Sequence, residues 1–269
     1  MSDPAFENDL LRLAEEAARA AAAELMKRWG GPLNVSTKST DTDPVSEADV
    51  AAEQAIRTVI ARERPGDAIL GEEGGATGDG ELRWIVDPLD GTVNYLYGLP
   101  NFVVSVGCHD ADGGLVGVVL DPVRDVIFTA TRSGEPRCGD EVLVRSDVTE
   151  IGHALVGTGF GYDPAVRALQ APIAARLLPL VRDVRRIGAA ALDLCYAAGG
   201  RLDAYFEYGV KPWDIAAGQL VCERAGLTVR VLEAVPAGDG RPELPQGILV
   251  APPAVVDALQ ALILASPLD

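Results

Sequence analysis

WIVDPLDGTVN, residues 84–94, is the stretch that decides the fold, because an apolar strand runs here directly into two carboxylates. Asp87 and Asp90 stand at the carboxyl end of this strand, which is the end at which ligands bind in α/β sheets. Pro88 lacks a backbone donor and biases Asp87 towards an extended conformation, so regular sheet pairing should break between the two acids. The stretch therefore predicts a strand that ends in a functional site.

Oxygen ligands follow one another closely at this strand end. Asp87, Asp90 and the intervening carbonyl of Leu89 can converge on one hard cation, because Mg²⁺ prefers oxygen. Gly91 allows the backbone to approach an anion, and Thr92 offers a hydroxyl and an N–H at a helix start. Alone, Asp-Pro and Asp-Gly are ordinary turn dipeptides. The high density of acidic residues favours a phosphate-binding site beside a metal-binding site.

Two further acidic features lie outside this stretch. Glu72 and Glu73 follow the apolar run 68–70, and adjacent acids at a strand end are by themselves typical of a solvated edge. Asp214 follows Trp213 at the start of an apolar helix, where an aspartate by itself indicates only a helix cap. Their meaning depends on whether the fold brings them to Asp87 and Asp90.

The hydrophobic periodicity predicts two helices in the first 65 residues and a series of strands between residues 68 and 130. Asp3-Pro4 starts an amphipathic helix to about Arg28, and Ser46-x-x-Asp49 resembles a capping box for a second helix that stops near residue 65. Loops are predicted at residues 34–46, 74–81 and 236–246, because these segments are polar or rich in Gly and Pro. Strands are predicted near 68–70, 84–86, 102–106, 115–120 and 126–130.

After residue 144 the predicted elements alternate, which indicates an α/β second half. Helices are expected near 164–180, 189–198 and 213–224 and after residue 253, with strands near 154–156, 184–187, 202–207, 227–232 and 247–250. No internal repeat or long linker occurs, so the 269 residues fit one large domain or two closely packed halves.

Composition narrows the classes of partner. The formal net charge is −17, which disfavours a nucleic-acid-binding face, and an anionic substrate would need bound metal ions to supply positive charge. The four cysteines are far apart and lie in or beside apolar runs, which indicates free buried thiols. The sequence has no basic leader and no run of 18 apolar residues, so we expect a cytoplasmic protein without a membrane partner.

The acidic motifs together resemble the signature of one family. Glu72-Glu73, the run DPLDGT at 87–92 and Trp213-Asp214, in this order and at these separations, are similar to the three motifs of inositol monophosphatases. Lys38, Asp43 and Asp49 resemble the mobile metal-binding loop of that family, and GTGFGY at 157–162 resembles its bacterial branch. Segments 188–195 and 199–207 continue the likeness, which therefore covers nearly the whole chain.

The resemblance implies an α/β fold, the αβαβα five-layer sandwich of the inositol monophosphatase and fructose-1,6-bisphosphatase type. It implies a single domain over residues 1–269 with two packed halves, about 1–144 and 145–269, and a homodimer. The implied activity is Mg²⁺-dependent, lithium-sensitive hydrolysis of a small phosphorylated polyol, foremost myo-inositol 1-phosphate, by metal-activated water.

The resemblance also implies roles for individual residues. Two Mg²⁺ ions would be bound by the side chains of Glu72, Asp87, Asp90 and Asp214 with the carbonyl of Leu89, and Asp49 would help to hold a weaker third ion. Thr92 and Glu72 would orient the attacking water, with Asp90 as the third catalytic residue. The amides of Gly91 and Thr92 would hold the phosphate, Glu207 would accept bonds from substrate hydroxyls, and Ala190 would form the pocket wall. Glu73 and Lys38 would orient ligands without touching the metal.

The substrate stays open among several alternatives. Ala189 stands where many relatives carry Ser or Thr, which removes one hydroxyl contact to a sugar ring. Histidinol phosphate and fructose 1,6-bisphosphate rank next, followed by 3′-phosphorylated nucleotides, and some bacterial relatives are partners of the transcription machinery. His109 and His153 belong to no motif and are expected to be surface or packed residues.

Overall fold

The computed structural model describes residues 3–31, 35–37, 44–238 and 242–265, with the backbone alone at 35–37 and 44–46. Seven α-helices lie in this described part of the chain. They are α1 (Pro4–Arg28), α2 (Glu47–Glu63), α3 (Thr92–Leu96), α4 (Pro164–Leu177), α5 (Ala190–Ala198), α6 (Pro212–Arg224) and α7 (Val256–Leu264). A single turn of 3-10 helix spans Ile151–His153. None of the helices in the described ranges is long and apolar enough to cross a membrane.

Fifteen strands are described, and they form three sheets. The first eight are β1 (Val35–Thr37), β2 (Pro44–Ser46), β3 (Ala68–Gly71), β4 (Gly75–Thr77), β5 (Arg83–Asp90), β6 (Val103–Asp110), β7 (Gly113–Asp121) and β8 (Val126–Thr131). The other seven are β9 (Arg137–Cys138), β10 (Glu141–Val142), β11 (Leu155–Thr158), β12 (Asp183–Arg185), β13 (Ala204–Tyr208), β14 (Thr228–Leu232) and β15 (Gly247–Ala251).

Two large sheets carry the architecture. The eight-stranded sheet has the order β10-β9-β8-β7-β6-β5-β3-β4, in which β3 and β5 are parallel and the other neighbours are antiparallel. The five-stranded sheet has the order β12-β11-β13-β15-β14, with parallel pairing around β11 and antiparallel pairing of β15 with β13 and β14. The small third sheet is the antiparallel pair β1-β2.

Apolar residues of alternating orientation join these sheets and helices into five layers. In β13, Tyr205 faces a core with α5 and α6, whereas Phe206 faces a core with α4 and α7, as the two-residue period of a strand requires. In β6, Val104 packs on the side of α1 and α2, and Val103 packs on the side of α5. The order is therefore α1/α2, eight-stranded sheet, α5/α6, five-stranded sheet, α4/α7, which confirms the predicted αβαβα sandwich.

Most predicted elements are present, with small changes in their ends. The Asp3 side chain caps α1 by accepting a bond from Ala5 N at 3.0 Å, and Pro4 occupies the first helical position. α4 ends at Leu177, three residues earlier than predicted, and β13 begins at Ala204 instead of 202. Cys108, Cys195 and Cys222 are free and buried, as predicted, and Cys138 is free and half-buried.

Two of the predicted loops are wrong in part, because both contain strands. Residues 34–46 include β1 and β2, which pair with each other. Residues 74–81 include β4, which pairs with β3 across a turn whose Gly71 and Gly75 are partners. These segments lack apolar alternation, so their pairing depends on neighbours that the local sequence does not reveal. Within 236–246, residues 239–241 lie outside the described residues.

Candidate active site

A cleft lined by residues between 72 and 92 and between 159 and 214 gathers most of the predicted site residues. It encloses about 100 Å³ and is open to solvent on one side. Nine of the predicted residues line it, namely Glu72, Asp87, Leu89, Asp90, Gly91, Thr92, Ala190, Glu207 and Asp214. Residues far apart in the sequence thus meet where β5, α5, β13 and α6 begin or end.

The end of β5 supplies the first two acids. The pairing of β5 with β6 shifts register between Asp87 and Asp90, as Pro88 predicts. Asp87 is buried, and its Oδ1 accepts a bond from the N–H of Leu89 at 2.9 Å, which closes a tight turn. Asp87, Leu89 and Asp90 all line the cleft, at the point where regular pairing with β6 is interrupted.

Asp90 is held by the start of α5. Its two carboxylate oxygens accept bonds from the N–H groups of Ala190 at 3.1 Å and Ala191 at 2.7 Å. These donors belong to the first turn of a helix, where amides have no partner within the helix and the dipole favours an anion. Burial nevertheless raises the pKa of Asp90 to about 7, against the opposite effect of the two amides.

Asp214 occupies the first turn of α6. Its Oδ2 accepts a bond from the N–H of Lys211 at 2.6 Å, so the residue caps its own helix as well as facing the cleft. Burial raises the pKa of Asp214 well above that of a free aspartate, and the charge of Asp90 raises it further. The helix-cap function and the site function thus coexist in one side chain.

Thr92 links the cleft to α2. Its Oγ1 lies 3.1 Å from the carbonyl oxygen of Leu89 and 3.3 Å from Oδ1 of the buried Asp49. A hydroxyl has one proton, so it donates to one of these acceptors at a time and keeps lone pairs for another partner. Asp49 lies behind Thr92 and does not line the cleft.

Gly91 gives α3 its position. Its φ of 95° lies in the left-handed region, and a Cβ there would lie 2.8 Å from the Asn101 carbonyl oxygen. No other residue type fits without moving the backbone of this loop. Gly91 and Thr92 therefore line the cleft in a turn that requires glycine.

The opposite wall of the cleft carries Glu207 at the end of β13. Oε2 of Glu207 accepts a bond from the hydroxyl of the buried Tyr205 at 2.6 Å. Burial raises the pKa of Glu207, although the Tyr205 hydroxyl and the nearby Arg186 lower it. Arg186 also lines the cleft, and its side chain lies over Gly188.

The chemistry of the donor set fits a hard cation. Burial raises the pKa of Asp87 well above its usual range, and the charges of Glu72 and Asp90 raise it further. Every ion pair between described side chains involves carboxylates other than Asp87, Asp90 and Asp214. Carboxylates crowded in this way favour a bound metal ion.

The cluster is not already arranged as a metal cage. No three acidic, histidine or cysteine side chains among the described residues have positions that could hold a metal ion. Asp90 and Asp214 give oxygens to backbone amides instead. An ionised carboxylate has about four lone-pair sites, so these bonds leave lone pairs that a metal ion could use.

Some predicted residues lie elsewhere, and five lining residues were not among the predicted site residues, namely Gly159, Phe160, Tyr162, Arg186 and Gly188. Glu73 does not line the cleft, and its N–H bonds to Glu53 at 2.7 Å. Lys38 and Asp43 lie outside the described residues. Arg186 was missed, although an arginine pair just before Gly188 in so acidic a chain is a usable signal.

The two histidines are a packed and a surface residue, as predicted. The Nε2 of the partly buried His109 lies 3.4 Å from the carbonyl oxygen of Ala216. His153 is exposed at the end of the 3-10 turn.

Known proteins of one family are similar to this chain over nearly its whole length. The profile of the Inositol monophosphatase family matches residues 7–265. The Inositol-1-monophosphatase SuhB of Mycobacterium tuberculosis is 42% identical over 265 residues, which cover 93% of this chain and 90% of the relative. The Nus factor SuhB of Haemophilus influenzae is 39% identical over 254 residues, 93% of each chain. The crystal structure of the extragenic suppressor protein suhB of Bartonella henselae superposes with a TM-score of 0.86 at 30% identity, covering 96% of this chain and 99% of that one.

Proposed function

Since the chain belongs to the inositol monophosphatase family, we propose that it hydrolyses myo-inositol 1-phosphate to inositol and phosphate with the aid of Mg²⁺. Membership makes it a phosphoric monoester hydrolase. The observation that carries the proposal is the group of four carboxylates, Glu72, Asp87, Asp90 and Asp214, at one cleft with the starts of α5 and α6. Such a site suits a phosphate only when cations join it.

The residues that would hold Mg²⁺ are the four carboxylates of the cleft and the carbonyl of Leu89, with two ions among them. We propose that Asp49 contributes to a third, weaker position, for which its place behind Thr92 is the support. When bound, Mg²⁺ lowers the pKa of a water molecule and offsets negative charge on the phosphate and leaving oxygens.

The protein's own groups would orient the water and receive its proton. The Thr92 hydroxyl donates to Asp49 or Leu89 and can at the same time accept a bond from water. Glu72, half-buried at the cleft, is the carboxylate we assign to accept the proton. Water then attacks phosphorus in line without a phosphoenzyme, so a chiral phosphate ester should be hydrolysed with inversion, and net retention would contradict this mechanism.

Binding of the substrate would use the remaining walls. The amides of Gly91 and Thr92 would hold phosphate oxygens, because they open α3 at the cleft. The half-buried Glu207 would accept bonds from ring hydroxyls, and the small side chain of Ala190 leaves room for the ring. A pocket that bonds hydroxyls rejects esters that lack them.

A panel of phosphate monoesters tests the substrate. We expect the purified protein with Mg²⁺ to show its highest kcat/KM for inositol 1-phosphate. The other members of the panel are histidinol phosphate, fructose 1,6-bisphosphate, a 3′-phosphorylated nucleotide and glycerol 2-phosphate. A clear preference for one of these would replace the inositol assignment and keep the phosphatase.

The second candidate is a binding function with the transcription machinery, which the name Nus factor in a relative 39% identical supports. Asp90→Asn separates the two functions, because it removes a charge that the chemistry needs and leaves the outer surface unchanged. A binding function should survive this substitution, whereas turnover should not.

We propose further that residues 1–269 form one domain of two packed halves, about 1–144 and 145–269. The α5/α6 layer supports this, because it packs against both large sheets. The free buried thiols Cys108, Cys195 and Cys222 support a reducing, cytoplasmic location. The family resemblance supports a homodimer, which sedimentation of the purified protein tests.

A further inference from the structure

One face of α2 contacts Thr92 and also the turn that carries Glu72, and both of these residues line the cleft. Asp49, Glu53 and Arg57 follow one another at intervals of four residues, so they lie on the same side of the helix. Asp49 Oδ1 is one of the two acceptors within reach of the Thr92 hydroxyl, at 3.3 Å. Glu53 and Arg57 reach instead to the turn between β3 and β4, which carries Glu72.

Glu53 binds this turn through both of its carboxylate oxygens. Oε2 accepts a bond from the N–H of Glu73 at 2.7 Å, and Oε1 accepts one from the N–H of Gly74 at 2.8 Å. The residue is only 2% exposed, so these bonds form away from water. Two bonds from consecutive amides to one carboxylate fix the direction in which the turn leaves β3.

Arg57 holds the carboxylate and the far side of the turn together. Its Nε donates to Glu53 Oε1 at 2.7 Å, while its two terminal nitrogens donate to Thr77 Oγ1 at 2.9 Å and to the Gly75 carbonyl at 2.6 Å. The planar guanidinium makes these bonds in one fixed geometry. The side chains of Arg57 and Glu53 are 15% and 3% exposed, so solvent screens this pair weakly.

Gly71 and Gly74, which flank the two glutamates, leave the space that the Glu53 carboxylate occupies. A Cβ on Gly71 would lie 2.5 Å from the Glu53 carboxyl carbon, and one on Gly74 would lie 2.7 Å from Oε1. Both approaches are closer than real Cβ contacts allow. The motif GEEG at 71–74 is thus shaped by a buried acid contributed from another element.

We infer that Glu53, locked by Arg57, is a positioning residue that orients the 71–75 turn so that Glu72 faces the other carboxylates of the cleft. Glu53 itself does not line the cleft and touches no substrate. The inference rests on the proposed function, in which Glu72 binds metal and orients water. Groups that orient metal ligands from outside typically change metal affinity or activity by about 10- to 100-fold when they are replaced.

The test compares Glu53→Gln with Glu63→Gln, the same substitution on the same helix. Glu63 pairs with Arg12 on the surface, far from the turn. In Glu53→Gln one oxygen becomes an NH₂ group that faces a backbone N–H, so one bond is lost and two donors oppose each other. Three quantities are measured, namely Mg²⁺ affinity by calorimetry without substrate, amide hydrogen exchange of segment 70–78, and kcat with KM.

We expect Glu53→Gln to bind Mg²⁺ about 10- to 100-fold more weakly. We also expect faster exchange of the amide hydrogens of segment 70–78. The fold-decrease in kcat should be larger than the fold-increase in KM. Glu63→Gln should match the wild type in all three. Faster exchange with unchanged Mg²⁺ affinity and kcat would overturn the inference, since Glu53 would then stabilise the hairpin without positioning Glu72.

Arg57 supplies a second pair of variants should Glu53→Gln fail to fold. Arg57→Gln removes the ion pair and leaves both amide bonds to Glu53, whereas Arg57→Lys keeps the charge. Arg57→Gln should weaken Mg²⁺ binding in the same direction, with partial recovery in Arg57→Lys, and wild-type affinity in both would overturn the inference. A wild type that binds no Mg²⁺ overturns the proposed function with it, whereas tight binding by wild type and variants alike overturns the role of Glu53 alone.

Discussion

Replacement of Glu207 by glutamine tests whether the cleft recognises a polyol. Oε2 already accepts the Tyr205 hydroxyl at 2.6 Å, so Oε1 is the oxygen left to accept bonds from the ring of a substrate. A hydrogen bond to a charged group is worth about 1.5–3 kcal/mol. We therefore expect kcat/KM for inositol 1-phosphate to fall by roughly ten- to a hundredfold in Glu207→Gln.

The geometry around Glu207 makes the loss specific. In Glu207→Gln the amide keeps one acceptor oxygen, which can bond either the Tyr205 hydroxyl or a substrate hydroxyl. Its NH₂ group then faces the other hydroxyl and cannot accept a bond from it. Gly159 lies against the carboxyl group, so a side chain of the same length stays in place. Glycerol 2-phosphate, which presents fewer hydroxyls, should lose much less kcat/KM than inositol 1-phosphate in the same variant.

Steady-state kinetics of both esters with wild type and Glu207→Gln, together with thermal unfolding of each protein, provide the measurement. An equal loss for the two esters would refute the assignment of Glu207 to ring hydroxyls. A wild type that prefers histidinol phosphate would refute the inositol substrate as well, because the carboxylate would then attract an amine. Membership of the phosphatase family does not depend on either outcome.

Three further predictions concern the metal. Activity should vanish in chelator and return with added Mg²⁺, since no described lysine or arginine pairs with the acids Asp87, Asp90 and Asp214; full activity in chelator would contradict this. Asp90→Asn and Asp214→Asn should each lower kcat by about 100-fold or more, because each removes a ligand charge, while circular dichroism stays that of the wild type. Li⁺ should inhibit turnover in competition with Mg²⁺, and activity that is unchanged at high Li⁺ would place the chain in another branch of the family.

Local chemistry made the end of β5 predictable. Pro88 removes a donor and restricts Asp87, and the register shift before Asp90 follows from these two facts. The helix starts at Pro4 and Pro212 and the alternation in β13 are local in the same way. Elements defined by their own caps and periods could therefore be predicted with ends within a few residues.

Elements defined by distant partners could not be predicted. β4 is three residues long and has no apolar alternation, so it exists because β3 and the clamp by Arg57 hold it. Glu53 belongs to no sequence motif, yet it is buried under a turn twenty residues away. Arg186 enters the cleft only because the chain between β12 and α5 passes Gly188.

The cleft shows how the fold tolerates acids that repel one another. Asp90 lies on the amides that open α5, and Asp214 lies in the first turn of α6, so each carboxylate meets the positive end of a helix. These contacts offset part of the repulsion, but burial still raises the pKa of both groups, which means that the amides alone do not compensate for the lost water. Arg186 lines the cleft and lowers the pKa of Glu207, but it forms no described ion pair with Asp87, Asp90 or Asp214, so a demand for positive charge remains at these three acids. A fold that places these acids at helix starts, with no described lysine or arginine in an ion pair with Asp87, Asp90 or Asp214, is therefore suited to bind cations first and a phosphate through them.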